Sequence, residues 1–210
     1  ITYQNTDTTA PTTGARTVRF ALTDGDGGTS PTYDATVTVS GVNDAPVLAD
    51  TALSLTVAED AGVPSGAVGS VVSAFTGGIT DVDNGASKGL AITGSNQTNG
   101  TWYYTRNGGT TWTAIGTVSN TSALLLADNA STRLYFAPRA NYNGPSLAAL
   151  TVRAWDQTSG TAGTKVSTAS NGGITAFSSA TDTVNVTVTA VNDASTITSL
   201  SGDSRAYSEG

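Results

Sequence analysis

The chain has 210 residues, 38% hydrophobic and only 12% charged, with a net charge of −7 and nine basic residues. That balance excludes a basic face for nucleic acid or anionic lipid. The absence of Cys, His and Met excludes a disulfide framework, thiol chemistry and the commonest general base and zinc ligand, and no run of 18 apolar residues predicts a membrane-spanning helix.

The predicted elements follow from period-2 alternation bounded by Gly, Asn and Asp. Residues 36–40 alternate, with Val37 and Val39 on one face. Residues 53–57 form the next strand. Residues 101–105 and 110–115 flank Arg106-Asn-Gly-Gly109, a hairpin signal because Asn-Gly tolerates positive φ. Further strands are expected at 122–127, 133–137 and 149–155, with a short helical turn near 123–129 as the alternative for the first. Segment 157–181 is rich in Gly, Ser, Thr and Ala and reads as a long loop or an extra hairpin. Residues 183–189 alternate strictly, with Val184, Val186 and Val188 on the buried face. The fold class is all-β.

Acids are skewed in type. Glu59 and Glu209 are the only Glu among sixteen acids, and Asp favours turns, caps and oxygen-ligand metal loops over regular elements. Asp24-Gly-Asp26-Gly-Gly28 and Asp81-Val-Asp-Asn-Gly85 each set two carboxylates two residues apart, with Gly to let the backbone fold round an ion. Neither has the twelve-residue frame of an EF-hand. The same residues also serve as plain turn formers.

A long internal repeat organises the chain. Val37-Thr-Val-Ser-Gly-Val-Asn-Asp-Ala45 recurs 149 positions later as Val186-Thr-Val-Thr-Ala-Val-Asn-Asp-Ala194. Arg16-Thr-Val-Arg-Phe-Ala-Leu-Thr-Asp24 is echoed by Leu150-Thr-Val-Arg-Ala-Trp-Asp156, and Leu55-Thr-Val-Ala-Glu59 more faintly by Arg205-Ala-Tyr-Ser-Glu209. A period of this length means repeated whole domains. Residues 1–46 read as the end of one β-domain, 47–194 as a complete one, and 195–210 as the start of a third. Too few strands fall in 1–46 for independent stability, so strands from a neighbour are expected there. Lack of a signal-like start fits an internal piece of a longer chain.

The series Leu55-Thr-Val-Ala-Glu-Asp60, Asp81-Val-Asp83, Leu150-Thr-Val-Arg-Ala-Trp-Asp156 and Val42-Asn-Asp-Ala-Pro46 resembles a cadherin repeat. With Tyr135-Phe-Ala-Pro138 and Asn141-Tyr-Asn-Gly144, it is more similar still to the cadherin-like tandem repeats of giant bacterial surface adhesins of the RTX and VCBS type. The resemblance implies tandem Greek-key, cadherin- or immunoglobulin-like β-sandwiches with calcium where domains meet. It casts Glu59, with Asp60 beside it, as the acid near the first strand, Asp81 and Asp83 as an Asp-x-Asp pair, and Asp156 as the acid ending a later strand. Asn43 and Asp44 would contribute from the linker, Asp24 would replace Asp156 in the preceding repeat, and Asn192, Asp193 and Glu209 would serve the following junction. The family's acid two residues before the linker Asn is Gly41 here and Ala190 at the second linker, which implies fewer or weaker ions.

The function expected from this reading is a structural extender of a secreted adhesin at the bacterial cell surface. Its partners would be neighbouring repeats of the same chain, with a host or surface ligand unspecified. Two alternatives come from other classes. Trp102, Tyr103, Tyr104 and Trp112 form an aromatic hairpin that would suit a glycan- or peptide-binding module, although core or cross-strand packing within the hairpin is the better explanation of them. Other copies completing residues 1–46 would instead make a filament or surface-layer subunit. An enzyme is not expected, because Glu59 is the only Glu of the complete domain and no His base accompanies any Ser or Thr.

Overall fold

The computed structural model describes residues 12–196 together with positions 4, 6, 202, 206 and 208–210. The fold is all-β. Strands β1 (Gly14–Phe20) and β2 (Tyr33–Val39) precede the first linker. After it come β3 (Val47–Leu48), β4 (Leu53–Ala58), β5 (Ser70–Val71), a 3-10 turn over Val72–Phe75, β6 (Ile79–Thr80), β7 (Gly89–Ser95), β8 (Gly100–Thr105) and β9 (Thr113–Ala114). The remaining strands are β10 (Ala123–Ala127), β11 (Arg133–Pro138), β12 (Gly144–Trp155), β13 (Lys165–Val166) and β14 (Asp182–Thr189).

Strands from the second part make a six-stranded sheet in the order β13-β10-β7-β12-β14-β4 and a four-stranded sheet in the order β5-β11-β8-β9. Both line one core. Leu90, Ile92, Leu150, Val152, Val184 and Val186 from the first sheet share it with Trp102, Leu134 and Phe136 from the second. The alternation of β14 is realised as read from the sequence: Val184, Val186 and Val188 are buried while the residues between them are not. Trp102 is fully buried and packs on Phe136 with ring centroids 5.1 Å apart. It therefore has no face to offer a sugar ring.

Residues 123–127 form a strand rather than a helical turn, and all five are buried. Leu124 and Leu126 enter the main core, whereas Ala123, Leu125 and Ala127 join a second cluster with Trp155 and Phe177. A strand covered on both faces shows no polar alternation, which is why this run resembled a buried helical turn. Its outer cover is the 157–181 segment. That segment is mostly irregular, but β13 pairs with β10 and Trp155 bridges to Phe177. Buried Arg153 staples its end to the sheet through Nη1, which donates to Ser178 O at 2.9 Å and Ser179 O at 2.6 Å.

The aromatic hairpin has a wider turn than Asn-Gly alone predicts. Tyr104 pairs with Thr113, so 106–112 forms the loop. Asn107 folds it by accepting from Thr105 Oγ1 (2.8 Å) and Thr111 N (3.0 Å). Before the first linker, β1 and β2 form a separate antiparallel pair in which no side chain is fully buried. Its clearest polar contact is Arg19 forked onto Asp34, which stands directly opposite, at 2.7 and 2.8 Å.

Strand β14 lies antiparallel to β12 and parallel to β4, with Thr189 beside Ala58 and Asp182 beside Val152. The end of β12 and the end of β4 therefore lie at opposite edges of the body, separated by the length of β14. At about 3.4 Å per residue, eight residues span roughly 27 Å.

Candidate functional site

The first linker, residues 40–46, is clasped to one of these edges. Strand β3, immediately after the linker, pairs with β6, immediately before Asp81, so Val47 faces Thr80. That two-residue ladder brings the Asp81-x-Asp83 turn against the linker. Asp81 Oδ1 accepts the Asp83 N–H at 2.9 Å, and Asp83 Oδ2 accepts the Asp44 N–H at 2.8 Å. From the other side, Asp156 follows directly on Trp155 at the end of β12. Its Oδ2 accepts from Asn43 Nδ2 at 2.9 Å, and its Oδ1 accepts from Thr158 N (2.8 Å) and Oγ1 (2.6 Å). Asp156 is only 2% exposed. Segment 157–181 adds backbone acceptors, since Asn43 Nδ2 also reaches Thr175 O (3.2 Å) and Ala45 N donates to Gly173 O (2.7 Å). A cleft of about 420 Å³ opens between them, lined by Asn43, Asp83, Asn84, Gly85, Asp156 and Gln157 among others.

The electrostatics of this edge are one-sided. Among the described residues the only salt bridge is that of Arg19 with Asp34, so Asp44, Asp81, Asp83 and Asp156 have no cationic partner. Burial, and then the charges of Asp83, Asp156 and Asp44, hold the Asp81 carboxyl above the usual carboxylate range, against the lowering effect of the Asp83 N–H. Asp81 Oδ2 is shut off from solvent without a hydrogen-bond partner. An orphaned, buried carboxylate oxygen is costly unless something positive satisfies it. The donor set is all oxygen, which suits a hard cation such as calcium. The geometry is that of hydrogen bonding to the linker, and as the structure stands no group of three or more acids among the described residues is placed to hold a metal ion.

Glu59 stands at the opposite edge. It follows β4, its N–H donates to Thr189 O (2.9 Å), and the side chain is 5% exposed. Oε1 accepts the Val191 N–H at 2.7 Å and Oε2 accepts from Asn143 Nδ2 at 3.2 Å. Asp60, at φ +64°, accepts the Asn141 N–H at 3.5 Å. Glu59 thus holds the start of the second linker, Asp60 bonds the turn at Asn141, and neither meets Asp81, Asp83 or Asp156. Asn192 and Asp193 follow in that linker and are exposed, as is Glu209.

Asp24 and Asp26 lie in the loop joining β1 to β2, at the end of that pair away from the linker, and both are exposed. Asp24 Oδ1 accepts the N–H groups of Asp26 (3.2 Å) and Gly28 (2.8 Å). Hydrogen bonding from the Asp26 side chain, then from these backbone groups, holds the Asp24 carboxyl below the usual range. Asn141 and Asn143 are contributors that reasoning about acids overlooked. The only signal for them was their place in the Asn-Tyr-Asn-Gly motif.

Comparison of the chain with protein-family models, with curated proteins and with solved structures returned no match. The fold and the two acid-lined edges therefore define the class directly: an all-β protein whose buried carboxylates hold the chain entering and leaving its main body.

Proposed function

We propose that this chain is an extender segment of a secreted bacterial surface adhesin, built of tandem Greek-key, cadherin-like β-sandwich repeats and stiffened by calcium at the joints. The observation that carries the reading is the clasp of Asn43 and Asp44 by Asp156 and Asp83, beside an Asp81 oxygen that lacks any partner. In a rod, a linker must transmit orientation from one body to the next. Here the linker side chain and backbone are tied to acids that leave the sheet at one edge, and Glu59 ties the departing chain at the other.

At the first joint, Asp44, Asp81, Asp83 and Asp156 would hold the ion, with Asn43 orienting Asp156. Bound calcium supplies the positive charge that four neighbouring carboxylates lack. The chain's own residues do the remaining work: the β3–β6 ladder fixes the Asp-x-Asp turn, the Ile174 and Thr175 carbonyls hold the Asn43 side chain, and the Gly173 carbonyl holds the Ala45 amide. At the second joint Glu59, Asp60, Asn192 and Asp193 would act together, joined by Glu209 of the following repeat.

Calorimetry in calcium and in chelator tests the reading. Tenfold calcium over the dissociation constant stabilises by about 1.4 kcal/mol per site. A rise in melting temperature that disappears in Asp81→Asn/Asp83→Asn supports the proposal; the same melting curve in calcium and in chelator rejects it.

A further inference from the structure

The chain has five Asn-Gly pairs, at Asn84, Asn99, Asn107, Asn143 and Asn171. Four of the five Asn side chains are held. Asn99 Nδ2 donates to Tyr142 Oη at 2.9 Å. Asn107 uses both its oxygen and its nitrogen on Thr105 and Thr111. Asn143 donates to Glu59, and Asn171 to the carbonyls of Thr168 and Ala169. Asn84 alone makes no side-chain hydrogen bond among the described residues, and both it and Gly85 are exposed.

We propose that Asn84 is a site of spontaneous, backbone-assisted deamidation that turns one wall of the linker cleft from amide to carboxylate. The reaction needs the Gly85 nitrogen to reach the Asn84 side-chain carbonyl carbon, and three features allow it. Gly85 has no Cβ to block the approach. It sits at φ +78°, and a Cβ built there would meet nothing within 4 Å, so the surroundings leave room for the approach. Its own N–H makes no hydrogen bond among the described residues. By contrast, Gly100 and Gly144 lie within β8 and β12, where the backbone is fixed.

The Gly85 nitrogen loses its proton to water and bonds to the Asn84 Cγ. The bond from Cγ to the side-chain nitrogen breaks, and ammonia leaves with one proton, giving a cyclic imide. Water then opens the ring at either carbonyl and restores an N–H, leaving an aspartyl or isoaspartyl linkage at position 84. Either product adds one negative charge beside Asp83 and Asp156, which line the same cleft. The isoaspartyl product also lengthens the backbone just after the Asp-x-Asp turn.

The test is incubation of the folded full chain at mildly alkaline pH without added metal, followed by peptide mapping for the amide-to-acid mass increment. Position 84 should convert first, with a growing acidic band on isoelectric focusing that is lost in Asn84→Gln. A parallel incubation in denaturant should convert all five pairs, since their local sequences are then equally free. Conversion of any other pair as fast as Asn84 in the folded chain would overturn the proposal. So would an intact Asn84 where the denatured chain reacts. No cation enters the experiment, so its outcome is independent of the calcium reading.

Discussion

Asn43 and Asp156 lie 113 residues apart in sequence, and the amide of one donates to the carboxylate of the other at 2.9 Å, joining the linker to the end of β12. Because Asp156 is buried, this charge-assisted bond is shielded from competing water. Asn43→Ala is expected to lower stability by about 1–2 kcal/mol and to speed hydrogen exchange at the Ala45 amide. Chemical denaturation with exchange mass spectrometry checks both. Unchanged exchange at Ala45 would mean that the linker is held by its backbone alone.

Asp81 sets a pH dependence whose sign is fixed by its environment. Its folded-state pKa lies above the unfolded value, so the folded state binds the proton more tightly. The stabilisation from the protonated form is complete below the unfolded pKa and is lost as pH rises through the folded one. In chelator at neutral pH, Asp81→Asn should therefore melt higher than the parent chain. The difference should shrink as the pH is lowered through the carboxylate range. A variant that melts lower at neutral pH would reverse the assignment.

Glu59 ties the second linker to the body. Glu59→Ala removes acceptors from Val191 N and Asn143 Nδ2 and should cost about 1–3 kcal/mol. Glu59→Gln keeps an oxygen for Val191 but turns an NH2 group towards Asn143, so an intermediate loss is expected. Limited proteolysis gives a second readout, with faster cleavage at 190–193 in Glu59→Ala.

The loop of the aromatic hairpin depends on Gly109. It sits at φ +102°, and a Cβ there would lie 1.9 Å from Gly66 O, so the loop backbone can approach segment 61–69 only without a side chain. Trp112 seals the same contact by donating from Nε1 to Gly66 O at 3.1 Å. Gly109→Ala should destabilise by about 2–3 kcal/mol through strain and forced displacement, whereas Gly108→Ala, which meets nothing within 4 Å, should bear only the cost of its positive φ. Thermal melts of the two variants separate packing from backbone conformation.

Much of this molecule is written in local pattern. Alternating valines gave β14, the Asn-Asp-Ala linkers marked both edges of the main body, and the scarcity of Glu drew notice to Glu59. Where a segment is covered on both faces, as at 123–127, the alternation vanishes, and strand could not be told from helical turn by sequence. Segment 157–181 read as a long loop or an extra hairpin because its Gly, Ser and Thr carry no period. Its role in capping the second core and holding Asn43 arises from contacts with distant residues.

The grouping of the acids was decided by tertiary structure alone. The family resemblance cast Glu59, Asp81 and Asp156 together as ligands. The parallel pairing of β4 with β14 carries the chain across the sheet before Glu59 is reached, which puts that side chain beside Val191 instead. Residue type determined which groups are able to bind a linker or a cation. Strand direction, a property of long-range pairing that no local pattern encodes, determined which linker each of them holds.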